Sequence, residues 1–134
     1  MKSLLKFDSW KSINEKLSVD QIKTVEEYAD KLFKEVGMDV EFSKHFKDRL
    51  NDERNQKPIS TAELIGFFKR AYEKSGKKIS QLPVKAEAVI QDMRTDLNTP
   101  FVIEYDPKNK EVDLKMKTIM RKKEFQTTNP KIKI

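Results

Sequence analysis

The single histidine of this chain, His45, stands four residues before Arg49 in the run Ser43-Lys44-His45-Phe46-Lys47-Asp48-Arg49-Leu50. On a helix that spacing puts both side chains on one face, at the edge of an apolar stripe made by Phe46 and Leu50. An imidazole titrates near neutral pH and can move a proton. A guanidinium stays charged and can hold a phosphate through two parallel hydrogen bonds. Together they are the minimal parts for metal-free cleavage of an RNA phosphodiester, in which a base activates the 2′-hydroxyl and cations offset the charge developing at phosphorus. The same spacing also fits a solvated helix face, with the pair beside Asp48, Asp52 or Glu53.

A second set of cations lies near the C-terminus. Val112, Leu114, Met116, Thr118 and Met120 alternate with Asp113, Lys115, Lys117, Ile119 and Arg121, and Lys122 and Lys123 follow. In a strand, side chains on one face recur about every 6.6–7 Å, so the lysines would form a rigid cationic row able to follow a phosphate backbone. Such contacts give affinity and salt dependence with little sequence choice. Residues 107–134 hold nine positive and three negative side chains and so carry the whole net charge of +6, the first 106 residues balancing at 19 against 19. This is the footprint expected for a polyanion, and equally the composition of a lysine-rich edge that resists aggregation.

The 134 residues suit one domain. With no cysteine and one histidine, thiol nucleophiles, disulfides and His- or Cys-built metal sites are excluded. Glu26 with Glu27, and Asp52 with Glu53, are helix neighbours that do not face each other, so no metal and no cofactor are expected. The glycines, Gly37, Gly66 and Gly76, make no phosphate loop. No apolar run approaches the ~18 residues of a membrane span, which points to a cytoplasmic protein without a membrane partner.

The positioning elements follow from periodicity and caps. Residues 1–17 read as a lead-in with Leu4, Leu5, Phe7, Trp10 and Ile13 among lysines. A helix opens at Ser18, which forms a capping box with Gln21, runs along Val19, Ile22, Val25, Ala29, Leu32, Phe33 and Val36, and stops at Gly37. Residues 38–42 form a short strand, and Ser43 caps a helix over about 44–54. Ser60 and Glu63 open another over about 61–75, stopped by Gly76. The run Ala86 to Ile90 fits a helical turn or a strand, a strand around 87–91 being preferred; then come Phe101, Ile103 and Tyr105 in a strand, a turn at Asp106-Pro107-Lys108-Asn109-Lys110, the alternating strand from Val112, and a last edge strand at 131–134. Helices before strands predict an α+β domain over 18–134, its N-terminal helices packed on one face of a small C-terminal antiparallel β-sheet.

The order of these pieces resembles small RNases of the barnase/EndoU/colicin/RelE-like superfamily, phage-associated members among them. The matching residues are His45-x-x-x-Arg49, Arg54, the Ile59-Ser60 helix start, and Lys117-Thr118 with Arg121, over about residues 38–125. The resemblance implies a metal-independent endoribonuclease with His45 as general base or acid and Arg49, Lys117 and Arg121 gripping phosphate. Arg54, Lys115, Thr118, Lys122 and Lys123 would line the nucleic-acid surface, RNA rather than DNA being the ligand, and an antitoxin-type protein partner is a further expectation. Alternation puts Thr118 on the face opposite Lys117 and Arg121, so a shared pocket requires a bulge. The alternatives are nucleic-acid binding without catalysis and a structural or internal phage head protein. The lead-in is similar to capsid-targeting propeptides of T-even-type phage internal proteins, which are cut after Leu/Ile-x-Glu, here Ile13-Asn14-Glu15. That implies a host-cytoplasm or virion location.

Overall fold

A computed structural model describes residues 16–55 and 57–134; the expectations for residues 1–15 lie outside it. Among the described residues three helices, α1 (Val19–Lys34), α2 (Lys44–Leu50) and α3 (Thr61–Ser80), join six strands: β1 (Met38–Phe42), β2 (Glu87–Gln91), β3 (Leu97–Asp106), β4 (Glu111–Met116), β5 (Met120–Arg121) and β6 (Lys131–Lys133). The fold is α+β, as the order of elements predicts.

Both capping boxes form. Ser18 and Gln21 exchange side chain–backbone hydrogen bonds at the start of α1, and Ser60 and Glu63 do so at α3. The residues before the caps, Leu17 and Ile59, are buried along with Ile22 and Leu64 four positions into each helix, the staple arrangement that fixes the entry angle. Gly76 does not stop α3, which runs to Ser80 ahead of Pro83. It makes room instead: a Cβ at this position would lie 3.0 Å from Cδ1 of Tyr72, whose ring meets Phe33 of α1 edge-on at 5.6 Å. Helix α2 ends early, at Leu50, and a 3-10 turn (Glu53–Asn55) follows.

The sheet order is β1-β4-β3-β2-β6, with β5 beside β3. It is mixed rather than wholly antiparallel, because β1 from the helical half adds parallel to β4 and β6 adds parallel to β2. Rows across the sheet put Val40, Leu114 and Ile103 on the helix side, with Phe42, Met116, Phe101 and Ala88 beside them. All seven are buried. As an edge strand β1 would present open N–H groups. Those of Val40 and Phe42 donate to Asp30 Oδ1 (2.9 Å) and Glu26 Oε2 (2.7 Å) of α1, so the helix seals the edge.

The alternation expected through 112–121 breaks after Met116. Met116 pairs with Phe101 and Met120 with Asn98, so the three residues 117–119 stand opposite only two, 99 and 100. One extra residue is a β-bulge, and it reverses which side chains face inward. Ile119 and Arg121, predicted outward, are 0% and 6% exposed.

Candidate nucleic-acid interface

Helix α2 carries His45 and Arg49, and it is tied at both ends to the bulged strand. At its N-terminus the Ser43 hydroxyl accepts from Phe46 N (3.0 Å) as the cap and donates to the Lys117 carbonyl (2.8 Å), while Ser43 N donates to the Met116 carbonyl (3.1 Å). Beyond its C-terminus the buried Asn55 amide donates to the Arg49 carbonyl (2.7 Å) and its oxygen accepts from Arg121 N (3.2 Å). Helix α2 is thus anchored at both ends to residues 116–121.

The predicted cations are in different states within that arrangement. His45 is exposed and has neither a hydrogen bond nor an ion pair among the described residues. Lys122 and Lys123 are exposed, and no side-chain partner engages either ammonium among the described residues. Arg49 is mostly buried, its Nε 3.7 Å from Asp52 Oδ2 and without a hydrogen-bond partner. Thr118 is half-buried with its hydroxyl likewise unpartnered. Arg54 grips Asp52 through Nε (3.1 Å) and Nη2 (2.9 Å). These bonds hold the Asp52 carboxyl down at about 2. Lys117 Nζ sits 2.8 Å from Glu87 and Lys115 Nζ 3.7 Å from Glu104. Both lysine pairs are well exposed, and such pairs contribute ~0–1 kcal/mol, so a polyanion can displace them.

Arg121 is a correction to the cationic row. The bulge turns it inward, where Nη1 donates to Glu63 Oε2 and the Thr95 carbonyl (both 3.0 Å), and Nη2 to Glu63 Oε1 (2.8 Å) and the Pro58 carbonyl (3.0 Å). A guanidinium has five N–H donors, so the terminal nitrogens have none left for phosphate, and Nε is buried without a partner. Burial would raise the Glu63 carboxyl, but the bonds from Arg121 and the Ser60 backbone outweigh it and hold the group below its ordinary value. Arg121 therefore joins the start of α3 to the end of the sheet. Beside it Arg70 pairs with the fully buried Asp92. Burial opposes ionisation there, yet the Thr95 hydroxyl, the Arg94 N–H and Arg70 keep the Asp92 carboxyl below its usual range.

Sequence reasoning missed Asn55, Asp92 and the second duty of Glu63. Only Glu63 carried a signal, its capping-box spacing. It also missed a carboxylate group on the side of the sheet away from the helices. Asp39, Glu111 and Asp113 each offer an oxygen within 4.8 Å of the others, the one such group among the described residues, and they could hold a cation. Asp39 is raised chiefly by its hydrogen bond with Glu111 and by burial. Asp113 is raised by burial and then by Glu41, Asp39, Asp106 and Glu104. No helix among the described residues is long and apolar enough to cross a membrane. No protein-family model, curated protein or solved structure matches the chain.

Proposed function

We propose that the protein binds nucleic acid, RNA in preference to DNA, along the junction of α2 with residues 116–123, and cleaves RNA there without a metal. The observation that carries this reading is the double attachment of α2, through Ser43 to the Lys117 carbonyl and through Asn55 to Arg121 N. It ties both ends of the helix that carries the exposed His45 to the segment that carries Lys117 and leads into Lys122 and Lys123. In the proposed reaction His45 takes the 2′-hydroxyl proton, the oxygen attacks the adjacent phosphorus, and the phosphorus–5′-oxygen bond breaks, the leaving oxygen taking a proton from water, to give a 2′,3′-cyclic phosphate and a free 5′-hydroxyl. Arg49 and Lys117 offset the charge at phosphorus, and Thr118 would orient the substrate only once its buried hydroxyl is uncovered. Arg121 acts by holding the strand in place.

Purified protein is expected to degrade single-stranded RNA in EDTA, and His45→Ala to abolish this with the fold intact. RNA left whole at high protein concentration removes the catalytic half of the proposal. Binding without cleavage is the second reading, favoured by the carboxylates that engage Arg54, Lys115, Lys117 and Arg121. An antitoxin-type partner covering the same surface, and a place in the host cytoplasm or virion, belong to this proposal. Mass spectrometry of virions finding a chain that starts at Lys16 would support the latter.

A further inference from the structure

The sheet ends in two unlike edges. At β1 the open N–H groups are taken up by Asp30 and Glu26 of α1, whereas at β6 nothing among the described residues does the same. Strand β6 pairs with β2 alone, in parallel. On that side the Pro130 carbonyl accepts from Val89 N (2.8 Å), Ile134 N donates to the Gln91 carbonyl (2.9 Å), and the Ile134 carbonyl accepts from Met93 N (3.1 Å). In a parallel ladder alternate residues of a strand bond to the same neighbour, so the N–H and C=O groups of Lys131 and Lys133 point the other way. Among the described residues neither finds a hydrogen-bond partner there.

The state of the side chains adds a charge to this open ladder. Ile132 and Ile134 are 5% and 6% exposed, which holds the strand against the core. Both lysines are exposed, and neither stands in an ion pair among the described residues. Two residues apart on a strand, they share one face. Residues 122–134 hold four lysines against the single acidic side chain of Glu124, so the segment that forms this edge is cationic. Lysine on an edge discourages pairing with a like edge: two copies joined through β6 would set ammonium groups against each other across the ladder. The same groups favour a strand that bears carboxylates, so the edge selects against a second copy and for an acidic segment.

We infer that the open edge of β6 takes an extended acidic segment of a partner protein as an added strand. Main-chain bonds to Lys131 and Lys133 hold the segment, and alternation dictates its pattern. Glutamate or aspartate recurs at every second position on the face of the two lysines, with apolar side chains between them on the face of Ile132. None of the residues assigned to the nucleic-acid surface lies on this edge.

The test titrates the isotope-labelled full chain at low salt with a capped peptide of alternating glutamate and valine. Saturable amide shifts and slowed hydrogen exchange are expected at Lys131 and Lys133, and neither with a peptide of alternating lysine and valine. Lys131→Gln combined with Lys133→Gln should weaken binding several-fold, a difference that fades at ~1 M salt, where the screening length falls to ~3 Å. Lys133→Pro removes an outward N–H and no bond to β2. It should weaken binding several-fold while far-UV circular dichroism and Tm stay close to the parent's. No shift at millimolar peptide, equal binding of the lysine peptide, or unchanged affinity in Lys133→Pro overturns the inference. So do shifts confined to residues 43–49 and 117–123, which would make the peptide a polyanion on the nucleic-acid surface. Edge shifts that appear with rising protein concentration alone overturn it in favour of a second copy.

Discussion

Replacing Arg121 separates its structural role from phosphate binding. Its four terminal N–H bonds, two of them to Glu63, are made at a position 6% exposed. Removing one partner of a buried ion pair costs about 3–5 kcal/mol, because the other charge is left without compensation. The Glu63 side chain is 23% exposed, so water recovers part of that. Arg121→Gln is thus expected to cost about 3 kcal/mol, or ~12 °C in Tm at ~4 °C per kcal/mol for a domain of this size. Adding Glu63→Gln keeps the reciprocal cap with Ser60, since glutamine serves at that position, and removes the stranded carboxylate. The double variant should therefore be ~1–2 kcal/mol more stable than Arg121→Gln alone, and the coupling is read from urea melts of the four proteins in a double-mutant cycle. RNA affinity per folded molecule should change little. A loss of stability below about 0.5 kcal/mol together with a large loss of affinity would refute the reasoning and return Arg121 to the phosphate surface.

Changing Lys117, Lys122 and Lys123 together to Gln should flatten the salt dependence of single-stranded RNA binding by ~0.7 log units per log salt for each phosphate that is no longer neutralised, as followed by fluorescence anisotropy; an unchanged slope would mean that these lysines only solubilise an edge. Asp113 sits in a row with Asp39 and Glu104 across three strands, and its raised carboxyl means that the folded state disfavours the charge. Asp113→Asn should therefore stabilise the protein at pH 7 by a few tenths to about 1 kcal/mol, a gain that disappears as the parent's own carboxyl takes up its proton in acid. Glu63 and Asp92 work in the opposite sense. Their carboxyls are held below their ordinary values of 4.5 and 3.8, so the unfolded chain binds protons more readily and the stability they contribute is lost as pH falls from those values. Denaturation midpoints measured from pH 7 to pH 3 should show that loss, reduced in a Glu63→Gln variant.

Local signals carried most of the fold. Ser18 with Gln21 and Ser60 with Glu63 set the starts of α1 and α3 within a few residues of chain, and the 106–110 turn was equally readable, whereas the short apolar run at 87–91 fitted a helical turn as well as the strand it forms. What escaped the sequence depends on distant partners. The parallel pairing of β1 with β4 joins Met38 to Val112, which no local pattern encodes. The bulge was invisible because Lys117-Thr118-Ile119 continues a regular alternation, and only the Met120–Asn98 register shows the slip. That single residue moved Arg121 from the proposed surface into the Glu63 network. Gly76 read as a helix stop because glycine usually is one, whereas here the Tyr72 ring against α1 needs the missing Cβ. For the candidate site, His45, Arg49 and the terminal lysines were legible as residue types. Asp52 beside Arg49 was legible from helix spacing, whereas Glu87 and Glu104, the partners of Lys117 and Lys115, come from other strands and were not.

The central claim is that α2 and residues 116–123 form one nucleic-acid surface. Titrating isotope-labelled protein with a short single-stranded RNA and following backbone amide shifts tests it most directly. The largest changes are expected at residues 43–49 and 117–123, with little change on α3 or at Asp39 and Asp113. Saturating RNA that moves none of these amides, or shifts confined to the far end of the sheet, would contradict it.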